Sequence, residues 1–305
     1  MTILELLVLF KQMSLLKGVL SCLLVAFAAV SGCVILGFWK IVTRISASKA
    51  EPLLLRKTDY TIIWWSLVNQ KMIQWLGLSK ITIDIDTNKP LDLQKWYLIF
   101  CNHQTWVDIL ILQTSLLQLT APIKFYTKSQ LKWVPFIGIA MNGLDFPYVK
   151  RATREQIKAN PALATLDRDN IFEACERFKN HPTCVLNFLE GTRFSPAKHQ
   201  QQSSIYKHLL SPKIGGASYV LEAMHDHLDS ILDITIYYPE GVPTFWDFLS
   251  GKNKNVIMQI RDFPIPEQSG PSSSHHKREV QSLVEKIWEE KDEYLQDLTQ
   301  ESCVS

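Results

Sequence analysis

The stretch FCNHQTWVDIL, Phe100 to Leu110, sets a histidine and an aspartate, His103 and Asp108, in an otherwise apolar run. An imidazole can take a proton near neutrality, and a carboxylate bonded to one ring nitrogen leaves the other nitrogen free to act as a base. In a regular helix a five-residue offset is a rotation of about 500°, so the two side chains would not share a face. They meet only if His103 stands in a turn ahead of the helix that carries Asp108. With no protein nucleophile beside it, such a base would act directly on a substrate hydroxyl. The competing readings are a satisfied core histidine with a helix cap, and a Cys–His nucleophile built on Cys101, which shares a strand face with His103.

Two further stretches carry charge at the ends of apolar runs. In NFLEGTRFS, Asn187 to Ser195, Glu190, Gly191, Thr192 and Arg193 follow at once on a buried strand. Gly191 permits a tight turn. Arg193 presents a planar fork suited to a phosphate or carboxylate. Glu190 reads as a group that positions Arg193 or accepts from a substrate hydroxyl. In GLDFPYVKRATR, Gly143 to Arg154, Lys150, Arg151 and Arg154 suit an anionic head group. Each also reads as a solvated surface turn. A metal site of His103, Asp108 and Glu190 lacks ligand spacing of a familiar kind.

The elements that must position these residues are legible in outline. ITIDID alternates as a strand, and KWYLIF is a buried strand that feeds into the His103 turn. TWVDILILQTSLL then reads as a helix. KFYTK and LDFPYV read as short strands. Arg168 to Asn180 reads as a helix, Thr183 to Gly191 as a strand, GGASYVLEAMHDHL as a helix, and ILDITIYY and NVIMQIRDFPI as strands. This alternation predicts an α/β domain with a mixed sheet flanked by helices. His103 and the EGTR turn would then lie at carboxyl ends of strands, where such folds bind ligands. Ser195 to His208 reads as a long loop inside the domain.

Ahead of this domain, Gly18 to Trp39 is an uncharged apolar run long enough to cross a bilayer. Bulky Phe38 and Trp39 close it, which argues against a cleaved signal peptide. More Lys and Arg follow it than precede it, which puts the bulk of the chain on the cytoplasmic side. A shallow re-entrant hairpin formed with residues 2–16 is the alternative. Thr61 to Leu78 places Ile62, Trp65, Val68, Met72, Trp75 and Leu76 on one helical face, suited to a core or to a membrane interface. A linker precedes a last helix, Arg278 to Leu298, with a charged, solvated face. The expected organisation is a membrane anchor over 1–57, an interfacial helix over 58–79, a catalytic domain over 80–266, and a linker with a C-terminal helix over 267–305.

Composition narrows the classes. The chain has 305 residues, 47% hydrophobic and 20% charged, with net charge +2. That charge implies no nucleic-acid partner. The six cysteines form no CxxC pair and read as small buried residues of a reduced compartment.

The Asn102, His103, Asp108 block (N-H-x4-D), the Glu190 to Arg193 block (E-G-T-R) and the intervening strand that ends at Arg151 together resemble the 1-acylglycerol-3-phosphate acyltransferases, over about residues 60–265. The stretch NFLEGTRFSPAKHQQQSSIYKHLLSPKIGG, with YYPEGVPTFWDFLSGK and WEEKDEYL, resembles the bacterial YihG-type acyltransferases, relatives of the lysocardiolipin acyltransferases. A fourth family block is only approximated by ITIYYPEGVP. The resemblance implies that His103 and Asp108 are catalytic, and that Arg151, Glu190, Gly191, Thr192 and Arg193 bind substrate. It implies acyl-CoA or acyl carrier protein as donor, a lysophospholipid as acceptor, and no metal or bound cofactor. It also implies a place on the cytoplasmic face of the inner membrane. A non-catalytic membrane-bound binding protein is the alternative from another class.

Overall fold

The computed structural model describes residues 3–45, 51–133, 137–144, 146–149, 158–161, 163–267 and 273–304. Two long helices, α1 (Ile3–Ile45) and α2 (Glu51–Leu76), precede strand β1 (Lys80–Asp86). Then come β2 (Tyr97–Cys101), α3 (Val107–Ser115), β3 (Ile123–Phe125), β4 (Thr127–Lys128), a 3-10 turn (Ser129–Trp133), α4 (Ile137–Gly143) and β5 (Tyr148–Val149). The rest runs α5 (Leu163–Phe178), β6 (Cys184–Phe188), α6 (Pro196–Gln202), α7 (Gly215–Met224), β7 (Ser230–Tyr237), α8 (Phe245–Leu249), β8 (Asn255–Phe263) and α9 (Ser273–Val304).

The six-stranded sheet has the order β1-β8-β7-β2-β6-β3, with β4 and β5 forming a separate pair. Only β7 against β8 is antiparallel; the other pairings are parallel, so the sheet is mixed as the alternation predicts. The central strands are buried on both sides, which explains their continuous apolar runs. Tyr97, Ile99 and Cys101 of β2 point into a core shared with α2 and α3. Leu98 and Phe100 point into the opposite core, shared with α5, α7 and α9. This period-two alternation fixes the register of β2, because a one-residue slip would exchange the two cores.

Helix α9 is longer than the spacing of its apolar residues predicts. Val280, Val284, Ile287 and Leu295 are buried, and so are Trp288 and Lys291. The Lys291 ammonium donates to Ile234 O at 2.6 Å and lies 2.8 Å from Asp233, which also pairs with Arg261 at 2.8 Å. A buried lysine is tolerated because a carbonyl, a hydroxyl and a carboxylate surround its ammonium.

The segment Ser195 to His208 is not a plain loop. Its first part is helix α6, with Ser195 as N-cap and Pro196 in the first turn. The serine–proline start is a regular helix signal, and it outweighs the polar composition that suggests a loop.

Helix α1 contains one segment, Lys11–Val42, long and apolar enough to cross a membrane. It packs lengthwise on the domain. Ser14 Oγ donates to Ser250 O at 3.0 Å, Gly18 lies against the Trp246 ring, and Trp64 donates to Ser31 Oγ at 3.0 Å. Leu36 lies against Gly143 of α4. The opposite ridge of α1, with Leu16, Leu23, Phe27, Val34 and Phe38, is exposed. Helix α2 serves both readings of its apolar face: Ile62 and Met72 are buried, while Trp75 is 79% exposed.

Candidate active site

Three adjacent parallel strands, β7, β2 and β6, end at one edge of the sheet. Each is followed within two residues by a side chain of one polar cluster: Tyr238, His103 and Glu190. Strand β2 ends there as Asn102 takes over the role of a backbone rung with its side chain. Its side-chain amide donates to Ile236 O and accepts from Ile236 N, both at 2.9 Å. The chain beyond Asn102 is thereby released from the sheet and turns.

His103 stands in that turn and Asp108 in the first turn of α3, so the five-residue offset brings them together. His103 Nδ1 lies 2.8 Å from Asp108 Oδ2, with the side chains 13% and 1% exposed. The same oxygen accepts from the N–H groups of Gln104 at 2.6 Å and Thr105 at 2.9 Å. The Tyr238 hydroxyl donates to Asp108 Oδ1 at 2.7 Å. Burial and the Asp108 charge push the Tyr238 hydroxyl well above its ordinary pKa, so it remains a donor. Four donors converge on one buried carboxylate. With its Nδ1 hydrogen directed at that acceptor, a neutral imidazole keeps a lone pair on Nε2. The imidazole ring stacks on Phe188, with centroids 4.0 Å apart. Thr105 Oγ1 donates to Pro243 O at 2.8 Å, and Phe194 N donates to His103 O at 2.7 Å. His103 is thus held through its ring and its backbone.

Glu190 is fully buried. Its Oε1 accepts from His103 N at 2.7 Å and its Oε2 from Leu210 N at 3.1 Å. Burial pushes its pKa up to about 8, against the two N–H groups, which pull it down. Its carboxyl group thus braces the backbone of the turn that carries His103 from within. Gly191 adopts the left-handed conformation, φ +68°, that the turn after β6 demands. Thr192 Oγ1 and Arg193 O both accept from the Lys198 ammonium at 2.8 Å. The Arg193 guanidinium lies over the Trp106 ring, 5.0 Å from its centroid. Arg151, with Lys150 and Arg154, lies outside the described residues.

Cys101 is wholly buried, and burial pushes its thiol well above the ordinary range. It faces the apolar core shared with α2 and α3. A thiol held in its neutral form is no nucleophile, which removes the Cys–His reading. Among the described residues no three His, Cys, Asp or Glu side chains converge as metal ligands. Sequence reasoning missed Tyr238, Trp106 and Phe188. The tyrosine sits in the approximated fourth block, and nothing in the local pattern singles it out.

A mixed sheet with a braced His–Asp pair at one strand edge, and a Glu-Gly-Thr-Arg turn beside it, defines an acyl-transfer class of site. The Acyltransferase family profile matches residues 80–239, just over half of the chain, and the chain belongs to that family. Lysocardiolipin acyltransferase 1 of Gallus gallus is 26% identical over 254 residues, covering 78% of this chain and 62% of that protein. The 2-acyl-1-lysophosphatidylinositol acyltransferase of Saccharomyces cerevisiae is 24% identical over 249 residues, covering 64% and 59%. The chain thus spans about three fifths of the length of these curated relatives. The crystal structure of the 1-acyl-sn-glycerophosphate (LPA) acyltransferase PlsC from Thermotoga maritima shares the fold, with a TM-score of 0.51 at 18% identity, over 91% of this chain and 97% of that one.

Proposed function

We propose that the protein transfers a fatty acyl group from acyl-CoA or acyl carrier protein to the free hydroxyl of a lysophospholipid. The first-choice acceptor is 1-acyl-sn-glycerol-3-phosphate, giving phosphatidic acid. The observation that carries this reading is the free Nε2 of His103, held by Asp108 and three further braces from Glu190, Phe194 and Tyr238. Nε2 takes the hydroxyl proton as the oxygen attacks the thioester carbonyl. The tetrahedral intermediate collapses, the C–S bond breaks, and the imidazolium returns the proton to the leaving thiolate. Arg193, stacked on Trp106, and Arg151 hold the acceptor phosphate. The named activities of the relatives, on lysocardiolipin, lysophosphatidylinositol and lysophosphatidic acid, support a glycerolipid acceptor.

The exposed apolar ridge of α1 supports a place on the bilayer. A helix that packs on the domain from Ser14 to Leu36 would carry α8 and α4 into the hydrocarbon if it crossed upright. We therefore read α1 as lying along the cytoplasmic leaflet of the inner membrane with its exposed ridge in the lipid. Membranes containing the protein, given labelled acyl-CoA and a panel of lysophospholipids, test the activity. Transfer to none of them would defeat the reading.

A further inference from the structure

Helix α7 opens on two glycines, Gly215 and Gly216, and Ile214 before it supplies no side-chain cap. Among the described residues, the N–H groups of Gly215, Gly216 and Ala217 have no acceptor in the protein. Beneath the same turn lies Asn187, only 6% exposed, whose side-chain Nδ2 has no partner either. Nδ2 lies against Gly216, 3.2 Å from where a Cβ would stand. At Gly215 the same space is open.

These groups are all donors, with the positive end of a ten-residue helix behind them. A buried amide N–H left without an acceptor is costly, and an anionic oxygen satisfies it together with the helix N–H groups. The position is also tied to the catalytic edge. Lys213 N donates to Leu189 O at 2.7 Å, next to Glu190, and the Tyr126 hydroxyl donates to Gly216 O at 3.4 Å.

We propose that Gly215, Gly216, Ala217 and Asn187 form a second phosphate-binding site, separate from Arg193, that holds a phosphate group of one of the two substrates. The inference rests on the acyl-transfer reading for its role in turnover. Its chemistry fits either the nucleotide phosphates of acyl-CoA or the head-group phosphate of the acceptor.

The test uses the full chain carrying Gly215→Asp, which sets a carboxylate in the open space at the helix start. An acidic residue there suits the helix, so folding is retained while an anion is repelled. If the site takes the donor, KM for acyl-CoA rises about tenfold, and KM for the same acyl group on pantetheine, which has no phosphate, does not change. If it takes the acceptor, KM for the lysophospholipid rises instead, with either donor. Asn187→Ala shifts the same constant in the same direction. Constants within twofold of the unaltered protein for both substrates would overturn the site. Calorimetric titration with coenzyme A and with inorganic phosphate separates this from the function itself. A protein that transfers nothing, yet loses binding of either probe on Gly215→Asp, keeps the site and loses the acyl-transfer reading. One whose binding of both is untouched, and which transfers nothing, loses both.

Discussion

The carboxylate of Asp108 is gripped from both ends: Tyr238 donates to Oδ1 at 2.7 Å, while His103 and two backbone N–H groups occupy Oδ2. Tyr238 directly follows β7 and Asp108 lies in the helix after β2, so the contact locks two chain segments around His103. Removing the hydroxyl releases the Oδ1 end of Asp108 and leaves the grip on Oδ2 alone. Tyr238→Phe is expected to lower kcat about tenfold with acceptor KM unchanged, and to cost about 1–3 kcal/mol in urea unfolding. An unaltered kcat would show that Asp108 needs no grip from β7.

In the proposed mechanism, His103→Ala removes the base. Loss of a positioned general base costs typically about 10²–10⁴-fold. Transfer of labelled acyl groups in membranes should fall by that factor, with the amount of folded protein unchanged. Full activity would remove His103 from the mechanism.

Glu190 gives the fold a pH dependence. Its pKa stands near 8 in the folded chain, above its ordinary value of 4.5, chiefly because burial disfavours the charge. The folded state thus binds the proton more tightly than the unfolded one. The stabilisation is complete below the ordinary value and is lost as pH rises through about 8. Glu190→Gln abolishes this slope. It also leaves one of the two N–H donors, of His103 or Leu210, without an acceptor. We expect the unaltered protein to lose thermal stability from pH 6 to pH 9, and the variant to start lower and change less. Parallel melting curves across that range would contradict the assignment.

Arg193 and Trp106 act as a pair, the ring holding the guanidinium plane in place. Arg193→Lys retains charge but not the planar fork. Its acceptor KM should rise about tenfold, and Trp106→Ala should move the same constant, with donor KM unaltered. A change confined to the donor constant would reassign the arginine.

Lys291→Met leaves Asp233 with Arg261 as its remaining charged partner. Removing one member of a buried ion group typically costs about 3–5 kcal/mol. Equilibrium denaturation should show a loss toward the lower end of that range, since Arg261 remains. A loss near zero would mean that the ammonium is replaceable by packing alone.

Much of the fold was legible before any coordinates, for identifiable reasons. The buried strands announce themselves as apolar runs, and the offset between His103 and Asp108 is incompatible with one helix, so the turn between them follows. What escaped was of another kind. Glu190 is braced by N–H groups, and backbone donors leave no mark on residue type. Tyr238 lies 130 positions from Asp108, a contact set only by the adjacency of β2 and β7. Lys291 reads as one charge among many on a solvated helix until β7 supplies its acceptors. Helix α6 was hidden by its polar composition, although Ser195 and Pro196 mark its start.

Helix α1 and helix α8 share a flank, with Gly18 against Trp246, and the residue just ahead of the α8 cap, Pro243, receives the Thr105 hydroxyl in the catalytic turn. The exposed ridge of α1 and the turn that holds His103 are therefore linked through one packing contact and one hydrogen bond. On the proposed reading, the protein meets its acceptor as a two-dimensional solute. Its turnover should track the mole fraction of lysophospholipid in the micelle or vesicle, and diluting that surface with inert detergent at constant bulk concentration should slow it.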